Sequence, residues 1–127
     1  MPDMRPNPTL SLEYRAERPI FQAFVEQASR SPDATAIIAH EATCSYRQLE
    51  QISQGIATFL LENGAISSDR VVIVASRGAA LVYAMLGALR AGLTFTVADA
   101  AYPAARIAQI IHTLGPAFVL RCGDTEV

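Results

Sequence analysis

From residue 20 onward, apolar and polar positions alternate between helical and strand-like patterns. Apolar residues first recur at helical spacing, until a Ser-Pro pair at 31–32 breaks the pattern. This predicts a short amphipathic helix. Two short apolar runs, at 35–39 and 42–45, then flank a two-residue turn and predict a β-hairpin.

A capping box marks the start of the next predicted helix. Ser45 and Gln48 have the S-x-x-Q form, in which each side chain bonds to the backbone N–H of the other. The helix is predicted to begin at Tyr46 and to end at the Asn-Gly pair at 63–64. Gly55, inside it, predicts close packing against a neighbour. The predicted core face is Leu49, Ile52, Ile56, Phe59 and Leu60.

The run RVVIVA at 70–75 is β-branched without alternation, which is typical of a strand covered on both faces in a parallel sheet. A helix is predicted over 78–91, with Gly92 as its left-handed cap. Because this apolar stretch is shorter than the roughly 20 residues that span a bilayer, we expect a buried core helix. Its predicted core stripe is Leu81, Val82, Met85, Leu86 and Leu89.

A further strand over 93–97, a helix from Pro103 to Gly115 and a last strand over 117–120 complete the pattern. This order predicts an α/β fold with an open, largely parallel sheet and flanking helices.

The chain divides into three predicted parts. Residues 1–19 hold four of the seven prolines and predict an extended lead-in or linker. Residues 20–121 form the α/β module, and residues 122–127 form a C-terminal tail.

Charge and cysteine content exclude several classes of function. The net charge is −2 and lysine is absent, so the chain lacks the basic patch that nucleic-acid binding requires. Cys44 and Cys122 belong to no Cys/His cluster, which predicts reduced, buried thiols and no metal site. The N-terminus has no apolar signal segment. We therefore expect a soluble, cytoplasmic protein that binds neither nucleic acid nor membrane.

Few residues offer reactive chemistry. Ser76, Arg77 and Gly78 lie between a strand and a helix, where α/β sheets bind ligands, and fit either an anion site or an ordinary helix start. His40 and His112 have no partners at triad spacing, which predicts structural or solvent-facing roles.

The stretch at 89–107 predicts a turn between a strand and a helix. Asp99 is expected to accept backbone N–H groups of the turn and to cap the following helix. Tyr102 offers an apolar contact with a polar tip, and Pro103 presets a helical φ. Each residue has a turn or packing role, and none is an evident catalyst.

Two stretches resemble core motifs of the adenylation domains of nonribosomal peptide synthetases and their AMP-forming acyl-ligase relatives. CSYRQLE, at 44–50, resembles the first motif, L-T/S-Y-x-E-L. LRAGLTFTVADAAYPAARI, at 89–107, resembles the second, L-K-A-G-x-A-Y-V-P-L-D-P-x-Y-P-x-E-R. The resemblance covers about residues 20–120. The matching positions, predicted to be scaffold residues, are Ser45, Tyr46, Leu49, Gly92, Asp99, Tyr102, Pro103 and Arg106.

The resemblance implies ATP-dependent activation of a carboxylic acid and transfer of the acyl group to a carrier-protein thiol, with ATP and Mg²⁺ used by the complete enzyme. The family's phosphate loop, its substrate-binding and ribose-binding Asp residues and its C-terminal Lys all lie downstream of these two motifs. We therefore expect this chain alone to bind no cofactor, to hold no catalytic residue and to be inactive.

Three hypotheses stay open at this point. The chain is the N-terminal part of an adenylating domain completed by a protein partner, or a degenerate, non-catalytic module that binds a synthetase or carrier protein. An unrelated flavodoxin-like protein is the third. The amino-acid or acyl substrate is not readable, because the family builds its side-chain pocket from later residues.

Overall fold

The structure, a computed structural model, describes residues 20–40 and 42–122. The predicted lead-in lies outside these residues, as does the predicted tail apart from Cys122. In chain order the elements are α1 (Ile20–Arg30), β1 (Thr35–Ile38), β2 (Thr43–Ser45), α2 (Tyr46–Glu62), β3 (Arg70–Ala75), α3 (Ala79–Arg90), β4 (Thr94–Asp99), α4 (Ala104–Leu114) and β5 (Phe118–Cys122). Each predicted helix and strand is present, with bounds that differ by one or two residues.

A three-stranded parallel sheet organises the described chain. The strand order is β4-β3-β5, and Ile73 of β3 lies opposite Val97 and Leu120 on its two neighbours. Residues 71–75 are all buried, as the unbroken β-branched run predicts. The predicted α/β fold with a parallel sheet is confirmed. β1 and β2 form the predicted antiparallel hairpin.

One face of the sheet is covered by α3, with α2 packed against α3. Leu60 of α2 and Ala88 of α3 are fully buried in a cluster with Val71 of β3. The predicted core stripe of α3 is correct in part: Leu81 and Met85 pack against the cluster of Ile73, Ala75 and Ala84, but all five predicted residues are only partly buried. α3 lies between the sheet and α2, so it buries the small side that permits close approach: Ala79, Ala84, Gly87 and Ala88.

Gly87 marks the closest approach of α3 to α2. A Cβ built on Gly87 would lie 2.6 Å from the Ile56 Cβ and would also overlap the Ile56 Cγ2. Gly55, where close packing was predicted, has nothing within 4 Å of a built Cβ. The Gly55 prediction is therefore wrong, and the glycine that the packing requires is on the other helix.

The buried face of α2 agrees with the prediction at Leu49 and Leu60 and differs from it at other positions. Ser53 is fully buried. Its Oγ donates a 2.9 Å hydrogen bond to the Glu50 carbonyl oxygen, so the buried hydroxyl has a partner. Phe59, predicted in the core, is 58% exposed. The residues that α2 buries are Leu49, Ser53, Ala57 and Leu60.

The opposite face of the sheet is covered by α4. Val72 and Val74 of β3 point to this side and are buried against Ile107 of α4. Successive residues of β3 thus serve two separate core clusters, as alternation along a strand requires. The predicted end of α4 is confirmed, since Gly115 has a left-handed φ of 53°.

Arg90 links α1 to the two helices behind the sheet. Its guanidinium carbon lies 5.1 Å from the centre of the Phe21 ring, and its Nη1 lies 3.8 Å from the Glu50 Oε2. α1 also packs through Phe24, whose ring centre is 6.2 Å from that of Tyr46. Among the described residues, no helix is long and apolar enough to cross a membrane.

Gly92 ends α3 as predicted and supports a first testable substitution. Its φ is +82°, and its carbonyl oxygen accepts from the Ser68 N–H at 2.8 Å. Gly92→Val should lower the free energy of unfolding by about 1–2 kcal/mol, because a left-handed φ strains a β-branched residue. Gly92→Asn should cost less, since Asn tolerates this conformation. Urea denaturation measures both, and equal midpoints for Val, Asn and Gly would contradict the prediction.

Candidate functional site

The first motif forms the junction between β2 and α2. Ser45 Oγ accepts from the Gln48 N–H at 3.2 Å, and the Ser45 N–H donates to Gln48 Oε1 at 2.9 Å. The predicted capping box is therefore confirmed. The Tyr46 N–H donates to the Ala34 carbonyl oxygen at 3.0 Å, and Leu49 is buried at 3% exposure. These contacts tie the hairpin to the helix.

The second motif forms the turn between β4 and α4. Asp99 Oδ1 accepts from the Ala101 N–H at 2.9 Å, and the Asp99 carbonyl oxygen accepts from the Tyr102 N–H at 3.0 Å. Asp99 thus holds the turn as predicted. Its predicted role as a helix cap is wrong, since Pro103 occupies the N-cap position of α4 and no side chain caps it. The carboxylate is instead used two residues along, in an Asx-type turn.

Tyr102 and Arg106 fix the first turn of α4 against the sheet. The Tyr102 ring packs beside the cluster of Val72, Val74 and Ile107. The Arg106 guanidinium carbon lies 4.0 Å from the centre of this ring, which is a cation–π contact. These side chains serve packing at this point, and their wider assignment as family scaffold residues stays a prediction.

The Asp99 turn gives a second testable substitution. Asp99→Ala should lower the free energy of unfolding by about 0.5–1 kcal/mol, because the Ala101 N–H loses its acceptor. Asp99→Asn keeps an acceptor oxygen at the same position and should change stability less. Urea midpoints compare the two variants, and a larger loss for Asn than for Ala would count against the turn bond.

The first motif and the C-terminal part of the second motif, from Tyr102 onward, lie on opposite faces of the sheet. The first belongs to α2, which packs behind α3, whereas the second leads into α4 on the other side. The N-terminal end of the second motif does reach the first motif, since Arg90 Nη1 lies 3.8 Å from Glu50 Oε2. Both motifs make hydrogen bonds within their own turns, at Ser45 and at Asp99.

The carboxyl edge of the sheet carries the turn at Ser76, Arg77 and Gly78. Gly78 is the N-cap of α3, and no side chain caps it by a hydrogen bond. Ser76 and Arg77 are exposed. Anion binding at this turn stays a prediction. His40 and His112 are both exposed, which agrees with a solvent-facing role.

The described residues include no cluster of metal-binding side chains. Within 20–40 and 42–122, no group of three or more His, Cys, Asp or Glu side chains is placed to hold a metal ion. Asp99, at the carboxyl end of β4, uses Oδ1 for its own turn.

A groove of about 560 Å³ lies between α2, α3 and the carboxyl end of β5. Its walls include Ile52, Gly55 and Phe59 of α2, Tyr83 of α3 and Cys122 of β5. Both cysteines are free thiols, and Cys44 is buried as predicted while Cys122 is only partly buried. Partial burial raises the pKa of the Cys122 thiol through desolvation.

Sequence reasoning missed this groove. It assigned Phe59 and Ile52 to the core, whereas these residues form its wall. One signal in the sequence was available. Ser53 and Ala57 are small residues four positions apart on α2, and a helix face of small residues can pack closer to its neighbour than a face of large residues can.

An open parallel sheet with helices on both faces, and the two turns built around these motifs, define the described chain as part of an α/β domain. The profile of the family described as AMP-binding enzyme matches residues 24–127. The chain therefore belongs to the AMP-binding enzyme family. It corresponds to a small part of the adenylation domain of enzymes of the nonribosomal peptide synthetase type.

Two curated relatives illustrate the match. L-2-aminoadipate reductase of Schizosaccharomyces pombe is 38% identical over 116 residues, which cover 84% of this chain and 8% of the reductase. Bacitracin synthase 3 of Bacillus licheniformis is 36% identical over 104 residues, which cover 82% of this chain and 2% of the synthase. The chain thus spans less than a tenth of either relative.

Solved structures of nonribosomal peptide synthetases are also similar to this chain. The four-domain nonribosomal peptide synthetase holo-AB3403, bound to AMP and glycine, is 32% identical with a TM-score of 0.78, covering 85% of this chain and 8% of that one. The N-terminal subdomain of Klebsiella oxytoca NpsA is 25% identical with a TM-score of 0.75, covering 85% of this chain and 28% of the subdomain.

Proposed function

We propose that this chain is the N-terminal part of a domain that activates an amino acid or another carboxylic acid with ATP, in a system of the nonribosomal peptide synthetase type. The family match over residues 24–127 carries the proposal. The synthetase with bound AMP and glycine, at a TM-score of 0.78, supports this class of reaction. The enzyme class is an AMP-forming ligase, with secondary-metabolite biosynthesis as its setting.

In this proposal the chain supplies scaffold, and the rest of the domain supplies the chemistry. The central strand β3 and the turns at Ser45 and Asp99 give later elements a rigid sheet to pack against. The groups that bind ATP, Mg²⁺ and the carboxylate come from the remainder of the domain. The chain alone is therefore expected to show no adenylation.

A segment exchange tests the proposal. Residues 20–122 replace the aligned segment of the bacitracin synthase 3 adenylation domain, and amino-acid-dependent ATP–pyrophosphate exchange is measured. We expect exchange by the chimera and none by this chain alone. The unexchanged domain is the activity control, and size-exclusion elution checks folding. A folded chimera without exchange, or exchange by the chain alone above a buffer blank, would contradict the proposal.

The second candidate function is a non-catalytic module that binds a synthetase or a carrier protein. The observation behind it is the alanine-rich turn, in which Ala100 and Ala105 stand where the family usually has Pro and Glu. The turn nevertheless keeps its bonding, since the Ala100 N–H donates to the Ala75 carbonyl oxygen at 3.1 Å. A folded, inactive chimera that still binds carrier protein would favour this second function.

The proposal includes a protein partner and a cytoplasmic location. Structural relatives include a four-domain synthetase and an artificially fused adenylation–PCP di-domain, which supports association with synthetase or carrier domains. The free thiols of Cys44 and Cys122 are compatible with a reducing compartment.

A further inference from the structure

We propose that Asn63 and Gly64, at the end of α2, form a site of intramolecular deamidation, and that the fold of this helix end controls how fast the site is modified. The proposal concerns the covalent chemistry of the chain itself and does not depend on the proposed function. Both residues are exposed, so water and hydroxide reach them.

The reaction joins the side chain of Asn63 to the main chain of Gly64. The Gly64 backbone nitrogen loses its proton to hydroxide and attacks the Asn63 Cγ, and Nδ2 takes up a proton and leaves as ammonia. Water then opens the resulting succinimide ring and gives aspartate or isoaspartate at this position. Because Gly64 has no side chain, and nothing lies within 4 Å of the place that a Cβ would occupy, the ring can close without a clash at this residue.

In the folded chain both reacting groups are held by hydrogen bonds. The Asn63 Nδ2 donates to the Phe59 carbonyl oxygen at 2.8 Å, which holds the side-chain amide against the last turn of the helix. The Gly64 N–H, whose nitrogen is the nucleophile, donates to the Leu61 carbonyl oxygen at 3.2 Å. Ring closure therefore requires both bonds to break. Helix ends open locally far more often than a whole domain unfolds, so opening of this last turn limits the rate in the folded chain.

The end of α2 has no basic residue that would offset a new negative charge. The last turns of the other helices have one each, Arg30 in α1, Arg90 in α3 and His112 in α4. A carboxylate in place of the Asn63 amide would follow Glu62 directly and would lie at the negative end of the helix dipole. The Phe59 carbonyl oxygen would also lose its side-chain donor. Deamidation is thus expected to loosen the helix end that slows it.

The isoaspartate product changes the main chain as well. Gly64 has a left-handed φ of +97°, and the Ala65 N–H donates to the Leu60 carbonyl oxygen at 3.0 Å, so the turn after α2 is a Schellman motif. Isoaspartate adds a methylene to the main chain just before Gly64, which alters the spacing that this motif needs. Ala65 is buried in a cluster with Leu60 and Val71, so the change reaches the core.

The full chain contains its own control for the test. Its other asparagine, Asn7, precedes Pro8, which has no N–H to act as the nucleophile. The full chain is aged in mildly alkaline buffer, with and without urea, and is then digested with trypsin. Mass spectrometry with electron-transfer fragmentation measures aspartate and isoaspartate in the tryptic peptides 1–15 and 48–70, which contain the two asparagines.

We expect conversion at Asn63 and none at Asn7. Because the two hydrogen bonds protect the folded site, conversion should be at least about tenfold faster in urea than in buffer. Equal rates in urea and in buffer would overturn control by the helix end. An Asn63 that stays unmodified in both conditions, or that converts no faster than Asn7, would overturn the site itself.

Variants at position 63 test the effect on the fold. Asn63→Asp carries the carboxylate of the product, and hydrogen exchange of the Gly64 and Ala65 amides should be at least about threefold faster than in the unaged wild-type chain. Asn63→Gln keeps a neutral amide and should speed this exchange less. The aged wild-type chain is measured beside them, so the effect of the product is also read without a substitution. Exchange that is unchanged in both Asn63→Asp and the aged chain would contradict the inferred loosening of α2.

Discussion

Replacing Leu60 with Ala is expected to lower the free energy of unfolding by about 2–5 kcal/mol. Leu60 is fully buried where α2 meets α3 and the sheet, in a cluster with Val71 and Ala88. The substitution removes apolar burial and leaves a cavity among residues that are held by strands and helices on all sides. Because domains of this size are stable by about 5–15 kcal/mol, a large part of the total would be lost. Urea denaturation followed by circular dichroism measures the change.

The adjacent leucine is the matched control. Leu61 is 50% exposed on the same helix, so Leu61→Ala removes the same atoms from a site that is partly in water. Its effect should be within about 0.5 kcal/mol. Equal losses for the two variants would show that α2 is rotated relative to the packing described here.

Replacing Gly87 with Ala is expected to lower the free energy of unfolding by about 1–3 kcal/mol. The added Cβ would lie 2.6 Å from the Ile56 Cβ, which belongs to the stiff base of a β-branched side chain. α2 and α3 must therefore separate. Ala is the better helix former by about 1 kcal/mol, so a net loss would show that packing outweighs intrinsic propensity.

Gly55 is the control for this substitution. It lies inside α2 with nothing within 4 Å of a built Cβ, so Gly55→Ala gains helix propensity without overlap. We expect a gain in stability of up to about 1 kcal/mol, measured by the same urea titration. If Gly87→Ala stabilised the protein as much as Gly55→Ala, the close approach of α2 and α3 would be refuted.

The sequence predicted the features that depend on neighbouring residues. The capping box at Ser45 and the left-handed cap at Gly92 follow from short-range chemistry, and both are confirmed. The buried strand β3 follows from its own composition. Turns and strands of this kind depend on residues that are close together in the sequence, so these elements could be predicted.

The orientation of the helices could not be predicted in the same way. Which side of α2 is buried depends on how closely α3 approaches, and this is set by Gly87, far away in sequence. Phe59 was therefore placed in the core although it is exposed, and the burial of Ser53 was not predicted. The prediction of Asp99 as a helix cap was wrong because its carboxylate accepts instead from the Ala101 N–H, which is closer in sequence than the start of the helix. The groove depends on three elements distant in the chain, and no local pattern marks it.

Native mass spectrometry of the protein isolated from its own source tests the central claim most directly. We expect these residues to occur together with the remainder of an adenylation domain, either in one longer polypeptide or as a complex, so that the observed mass exceeds 13.6 kDa. Peptide sequencing of that species should find the phosphate loop and the lysine expected of the family. A lone monomer of 13.6 kDa, with no associated protein, would contradict the account.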